Sequence, residues 1–155
     1  MDVNLQRQKA EALRRMHDRS RILVLVNAWD AMSARAVEEA GARAIATSSA
    51  TLSHSIGYAD GESAPRAEFV GAIARIARAV DAPVSADTES GFGRTPAEVA
   101  ETVRMVIEAG AVGINLEDGE IERRGELYET AQALERLNAA RDAAAKAGVP
   151  IVINA

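Results

Sequence analysis

One phrase recurs along the chain and limits what it can fold into. Ala40-Gly41-Ala42 precedes Ala44-Ile45-Ala46. Ala109-Gly110-Ala111-Val112 runs into Gly113-Ile114-Asn115-Leu116, and Ala147-Gly148-Val149-Pro150 into Ile151-Val152-Ile153. Asp81-Ala82-Pro83-Val84-Ser85 is a variant in which proline is the breaker. Each is a helix stop followed by a short apolar strand. Glycine just past a helix takes the left-handed cap that other residues resist. Strands without polar alternation are buried on both faces, as in a parallel sheet covered by helices. The spacing of these stops gives a βα repeat with a period in the middle thirties. Strands are predicted near 22–27, 43–47, 83–87, 112–116 and 150–154.

The intervening segments carry helical periodicity. Phe69, Ile73, Ile76 and Val80 form one stripe; Val99, Val103 and Val106/Ile107 form another. Thr95-Pro96-Ala97-Glu98 reads as a capping box with proline at the first helical position. Leu134, Leu137 and Ala140 line a helix starting near Glu129, and Asp30 is a plausible N-cap for 31–40. Residues 4–18 form a leading amphipathic helix, with Leu5, Ala12, Leu13 and Met16 on one side, able to plug the base of a barrel or pack on a partner. Residues 48–64 read as a long loop holding a short helical turn. Nothing divides the chain, so residues 1–155 are expected to form one domain, with 1–19 as its leading helix.

Composition removes several function classes. The chain has 155 residues, a size for one domain with a real core. It has no cysteine, which excludes disulfides, thiolate metal sites and cysteine nucleophiles. The net charge of −5 with scattered Lys and Arg argues against a nucleic-acid partner. The longest aliphatic run, Ile22 to Val26, is far below the ~20 residues of a membrane span, and the polar N-terminus lacks a signal-peptide core. A cytoplasmic protein is expected.

In parallel α/β proteins the functional site lies beyond the carboxyl ends of the strands, and here those ends are polar. They carry Asn27-Ala28-Trp29-Asp30, Thr47-Ser48-Ser49, Asp87-Thr88-Glu89, Glu117-Asp118 and Asn154, with Asp60 in the long loop. Several carboxylates therefore approach one rim. Carboxylates are hard oxygen ligands suited to Mg²⁺ or Mn²⁺ rather than zinc. Asp87 and Glu89, two apart, point the same way if the chain is still extended, and Glu117 on the next strand can reach the same ion. The alternative for each acid is a helix cap. Ser48 and Ser49 either donate to a substrate carboxylate or are simple turn residues. Gly91-Phe92-Gly93 lacks the full dinucleotide fingerprint and reads better as a turn opening the helix at Thr95. His17 reads as helix surface, His54 as loop and Trp29 as packing. Arg123-Arg124 lies in a solvated loop after a metal-bearing strand end.

Four segments carry a resemblance: Asn27-Ala28-Trp29-Asp30-Ala31-Met32-Ser33-Ala34-Arg35, Ile56-Gly57-Tyr58-Ala59-Asp60, Ala86-Asp87-Thr88-Glu89-Ser90-Gly91-Phe92-Gly93 and Gly113-Ile114-Asn115-Leu116-Glu117-Asp118. In order and spacing they resemble the isocitrate lyase/phosphoenolpyruvate mutase superfamily, from about residue 20 to the end. The resemblance implies a (β/α)₈ TIM-type barrel, Mg²⁺, and a small α-keto or α-hydroxy acid handled through an enolate-like pyruvate species. By position, it implies Asp87 as chief metal ligand and Glu89 and Glu117 as acids holding the ion directly or through water. Asp60 becomes an active-site aspartate, and Ser48, Ser49 and Ala50 the segment gripping the substrate's carboxylate and keto oxygens. A lyase or decarboxylase is the expected activity, with Asp60 and Glu117 as catalytic acids.

Two departures qualify that expectation. Isocitrate and methylisocitrate lyases carry a cysteine after the fourth strand; here Gly119-Glu120-Ile121-Glu122-Arg123-Arg124-Gly125-Glu126-Leu127-Tyr128 occupies that region. Decarboxylation, cleavage of another acid, or hydrolysis of phosphonopyruvate type fits instead. A (β/α)₈ barrel also takes about 250 residues, so five βα units of a partial barrel are expected. Such a chain is a fragment, a partial barrel completed by self-association into a homo-oligomer, or a rearranged open sheet. The rival functions are a non-catalytic oligomeric scaffold, or an open fold binding a phosphorylated metabolite at Gly91-Phe92-Gly93.

Overall fold

The computed structural model describes residues 2–120 and 125–155. Among the described residues, five strands and six helices follow in chain order: α1 (Val3–Met16), β1 (Val26–Ala28), α2 (Ala31–Glu39), β2 (Ile45–Thr47), α3 (Ser49–Ser55), α4 (Arg66–Ala79), β3 (Val84–Asp87), α5 (Pro96–Ala109), β4 (Gly113–Asn115), α6 (Thr130–Ala147) and β5 (Val152–Asn154). All four pairings are parallel, and the order in space is the order in sequence, β1-β2-β3-β4-β5. A doubly wound sheet must reverse its order at a switch point. This sheet never does, so right-handed crossovers place every connecting helix on one face. In agreement, α2, α4, α5 and α6 pack in succession. The architecture is four βα units and a fifth parallel strand of barrel wall, not a rearranged open sheet.

Local signals explain the helix ends. Thr95 and Glu98 complete the expected capping box with Pro96 in the first turn, and Asp30 caps α2 in a reciprocal box with Ser33. Gly110 and Gly148 close α5 and α6 at φ 103° and 69°. The apolar stripes are buried: Phe69, Ile73 and Ile76 are fully so, as is Val99, and Val103 and Val106 nearly so.

α1 lies across the amino ends of the strands, where its Leu13 is fully buried. Gln6 Nε2 donates to the carbonyls of Ile107 (2.6 Å) and Ala111 (3.2 Å), and Lys9 Nζ to that of Val80 (3.3 Å). Gly113 makes this approach possible. A Cβ there would stand 2.7 Å from Ser85 Oγ and 2.8 Å from Leu13 Cδ2. Of the two roles open to the leading helix, the fold realises the plug.

Several expectations require correction. The first strand is only Val26–Ala28, and Ile22 and Val24 are 89% and 69% exposed. An apolar run reads as buried on both sides, but β1 has a neighbour only in β2. Helix α3 occupies Ser49–Ser55 within the segment read as mostly loop. Trp29, Leu5 and Leu134 are each about half exposed rather than packed. Arg123-Arg124 lies outside the described residues.

Candidate active site

The carboxyl ends of β2, β3 and β4 face one rim, with the turn before α4 opposite them. Parallel register brings Asp87 level with Asn115 on β4. Asp87 caps the neighbouring helix: Ser49 N–H, at the start of α3, donates to its Oδ2 (3.0 Å). Thr47 Oγ1 accepts from Asp87 N–H (3.0 Å), and Glu89 N–H donates to Asp87 Oδ1 (3.3 Å). The Ser49 amide, expected to grip a substrate carboxylate, is therefore engaged by Asp87. Ser48 is partly exposed and makes no side-chain cap bond, and Ala50 follows in the first turn of α3.

Glu89 is not extended. β3 ends at Asp87, and Glu89 has φ +50°, as Phe92 has +52°. The argument that Asp87 and Glu89 share a direction by strand alternation thus fails. A left-handed turn, rather than pleat geometry, aims the Glu89 side chain. Gly91, at φ +96°, leaves room there for Leu116 and Val99. The turn is bonded to β4: Thr88 Oγ1–H donates to Asn115 O (2.5 Å), and Glu117 N–H to Glu89 O (2.7 Å).

Six acids shape the electrostatics. Glu89 is buried, and its carboxyl is pushed up to about 7 by desolvation first, then by the charges of Asp60, Glu62 and Asp87. Glu117 is also raised, again by desolvation first and then by Asp87, Asp60, Glu62 and Asp118. Asp60 is exposed on its loop and faces the same group. The structure thus brings Asp60, Asp87, Glu89 and Glu117 into one electrostatic cluster. Perturbed carboxyls of this kind concentrate at functional sites.

The donor set fits a hard cation. All candidate ligands are carboxylate oxygens, and Glu89 Oε1 is a buried oxygen with no hydrogen-bond partner. An unpaired acceptor in such a place is costly unless an ion or a proton meets it. Among the described residues, no three acidic or imidazole side chains already close into an ion cage. Asp87, Glu89 and Glu117 would have to draw together around one, and exposed Glu117 has the freedom to do so.

The model of the phosphoenolpyruvate phosphomutase family matches residues 13–155. The chain belongs to the phosphoenolpyruvate mutase/isocitrate lyase superfamily. A crystal structure from Burkholderia cenocepacia J2315, of a protein provisionally named a phosphonomutase, is 47% identical with a TM-score of 0.92. It matches 95% of this chain and 59% of its own. The 2-methylisocitrate lyase of Bacillus subtilis (strain 168) is 30% identical over 119 residues, 77% of this chain and 39% of that one. A phosphonopyruvate hydrolase, solved with oxalate and Mg²⁺, is 29% identical with a TM-score of 0.81, over 87% of this chain and 48% of its own. The chain spans about two-fifths of the length of the curated superfamily members it matches.

Two residues at this superfamily rim escape a reading of the sequence. Glu62 Oε1 accepts from Ser90 Oγ–H and Phe92 N–H, both at 2.8 Å. Only the acidic turn Asp60-Gly61-Glu62 hinted at it. Arg136, 3% exposed, donates Nη1 to Arg94 O (2.7 Å) and Nη2 to Ser90 O, with its guanidinium 4.2 Å over the Tyr128 ring. Its signal was legible: position 136 falls on the same helical stripe as buried Ala140 and Ala144. The phosphate-loop reading of Gly91-Phe92-Gly93 loses support, because the Gly91 amide is donated to Thr88 O and that of Phe92 to Glu62.

Proposed function

We propose that this chain carries the metal-binding half of a Mg²⁺-dependent lyase or decarboxylase acting on a small α-keto or α-hydroxy acid, with Mn²⁺ as a substitute ion. The observation that carries the reading is the buried, unpartnered Glu89 Oε1 at the centre of an all-carboxylate rim. Superfamily relatives include enzymes named for methylisocitrate, oxaloacetate and phosphonopyruvate chemistry.

Asp87, Glu89 and Glu117 would hold the ion. When bound, a divalent cation supplies Lewis-acid stabilisation of the negative charge that develops as a keto acid passes to its enolate. The chain's own groups do the rest. Asp87, fixed by the Ser49 and Glu89 amides, keeps the rim's floor in place. Glu89, whose carboxyl is pushed up to about 7 by burial and the neighbouring acids, would hold the ion as its carboxylate. Asp60 and Glu117, the more exposed acids, would orient substrate or a water. Ser48 and Ala50, at the start of α3, would take the side of the substrate's carboxylate. With no cysteine in the chain, cleavage that depends on a cysteine acid is set aside.

Calorimetric titration of Mg²⁺ into wild type and Asp87→Ala, with and without oxalate as an enolate mimic, tests this reading. Metal-dependent oxalate binding in the wild type, reduced at least about 100-fold in the variant, is the expected result. Oxalate binding that ignores Mg²⁺, or no Mg²⁺ binding at all, would overturn it. The exposed apolar edge at Ile22 and Val24 favours a second reading, a cytoplasmic homo-oligomeric scaffold without turnover. Self-association without any metal binding would select it.

A further inference from the structure

The two loops that carry Asp60 and Glu89 are locked together by one residue. Glu62 N–H donates to Glu89 Oε2 (2.8 Å), while Glu62 Oε1 accepts Ser90 Oγ–H (2.8 Å) and Phe92 N–H (2.8 Å). Glu62, Glu89 and Phe92 have φ of +53°, +50° and +52°, a region non-glycine residues occupy at a cost. Within the turn Glu89 N–H donates to Asp87 Oδ1 and Gly91 N–H to Thr88 O, while the contacts that join the two segments span 27 to 30 residues of sequence. The reciprocal bonds to Glu62 add to these local ones and tie the turn to the other loop. From the far side, Arg136 holds the carbonyls of Ser90 and Arg94, so the turn is gripped on both flanks.

We propose that Glu62 is a positioning residue: it clasps the Glu89 turn to the Asp60 loop and so fixes the geometry of the acidic rim. Its side chain works as a hydrogen-bond acceptor, through one oxygen, and not as a ligand. The effect on metal binding rests on the reading above; the clasp itself does not.

Two measurements separate the clasp from that reading. In the metal-free chain, residue-resolved amide exchange follows Phe92, with Val103 in α5 as an internal control. Glu62→Ala should speed exchange at Phe92 about ten-fold or more while Val103 stays unchanged. Glu62→Gln, whose carbonyl oxygen can accept the same two donors, should restore protection. Mn²⁺ titration followed by electron paramagnetic resonance gives the second readout. Glu62→Ala should weaken binding about ten-fold or more, with Glu62→Gln within about three-fold of wild type. Unchanged Phe92 exchange in Glu62→Ala would overturn the clasp, as would a Gln variant as defective as Ala, since charge rather than acceptance would then matter. Wild type that binds no Mn²⁺ would sink the metal reading and leave the exchange result to decide the clasp. If Glu62→Ala does not fold, Ser90→Ala removes one of the two donors and should show a smaller change at Phe92; no change there would equally overturn the proposal.

Discussion

Glu89 shows how far a side chain's chemistry departs from its place in the sequence. Its carboxyl titrates near 7 rather than 4.5 because burial and the charges of Asp60, Glu62 and Asp87 oppose ionisation. The native state therefore binds more protons than the unfolded chain between those values. Stability from this group is fully present below about pH 4.5 and is lost as pH rises through 7, the reverse of an ion-paired acid. Glu117, raised for the same reasons, adds in the same direction. In metal-free protein, Glu89→Gln should gain roughly 2 kcal/mol over wild type between pH 5 and pH 8, after allowance for solvent screening at the rim. Urea unfolding at the two pH values measures the difference. A gap between variant and wild type that does not widen with pH would refute the assignment. That Asp87, Glu89 and Glu117 face one rim was legible, since each follows a strand in a parallel α/β pattern. The left-handed turn that aims Glu89 was not, because Asp87-Thr88-Glu89 carries no local signal for positive φ before Gly91.

Among the elements, α1 shows a recognisable amphipathic pattern whose destination only packing settles. Gln6 is the anchor. It is 4% exposed, and its amide serves two carbonyls at and just beyond the end of α5. Gln6→Ala should cost about 1–3 kcal/mol, because it strands two acceptors where water does not readily reach. Arg7→Ala removes exposed bonds to Gly148 O and should cost under about 1 kcal/mol. Chemical denaturation of both variants checks the ranking; equal losses would mean that burial gives the Gln6 bonds no advantage over the exposed Arg7 ones. Helix boundaries elsewhere followed from chemistry within a few residues of chain, as at Thr95/Glu98 and Asp30/Ser33. The sequence signals only a short turn at α3, since its N-cap serine makes no side-chain bond and its start is set by Ser49 donating to Asp87 on another strand.

For the molecule as a whole, the decisive property is an ordered sheet with two edges. β1 and β5 each pair on one side only. Ile22 and Val24, just before β1, and Val26 within it are exposed apolar side chains beside that edge, a ready surface for association. Ile22→Lys with Val24→Lys should bring light-scattering mass at high concentration down to that of one protomer, with melting temperature nearly unchanged. A wild type that is a single protomer at every concentration would contradict this. The sequence by itself determined the βα repeat, the helix caps, the buried stripes of α4 and α5, and the concentration of acids at strand ends. Those features depend on contacts within one or two turns of chain, or on periodicity that burial imposes. Only the tertiary structure decided that the apolar run 22–26 lies mostly outside the sheet, that Glu62 and Arg136 brace the Glu89 turn, and that Asp87 accepts the Ser49 amide rather than leaving it free. Each of these is set by a partner some 25 or more residues away, or by the lack of a neighbouring strand, and side-chain type alone does not encode which distant group arrives.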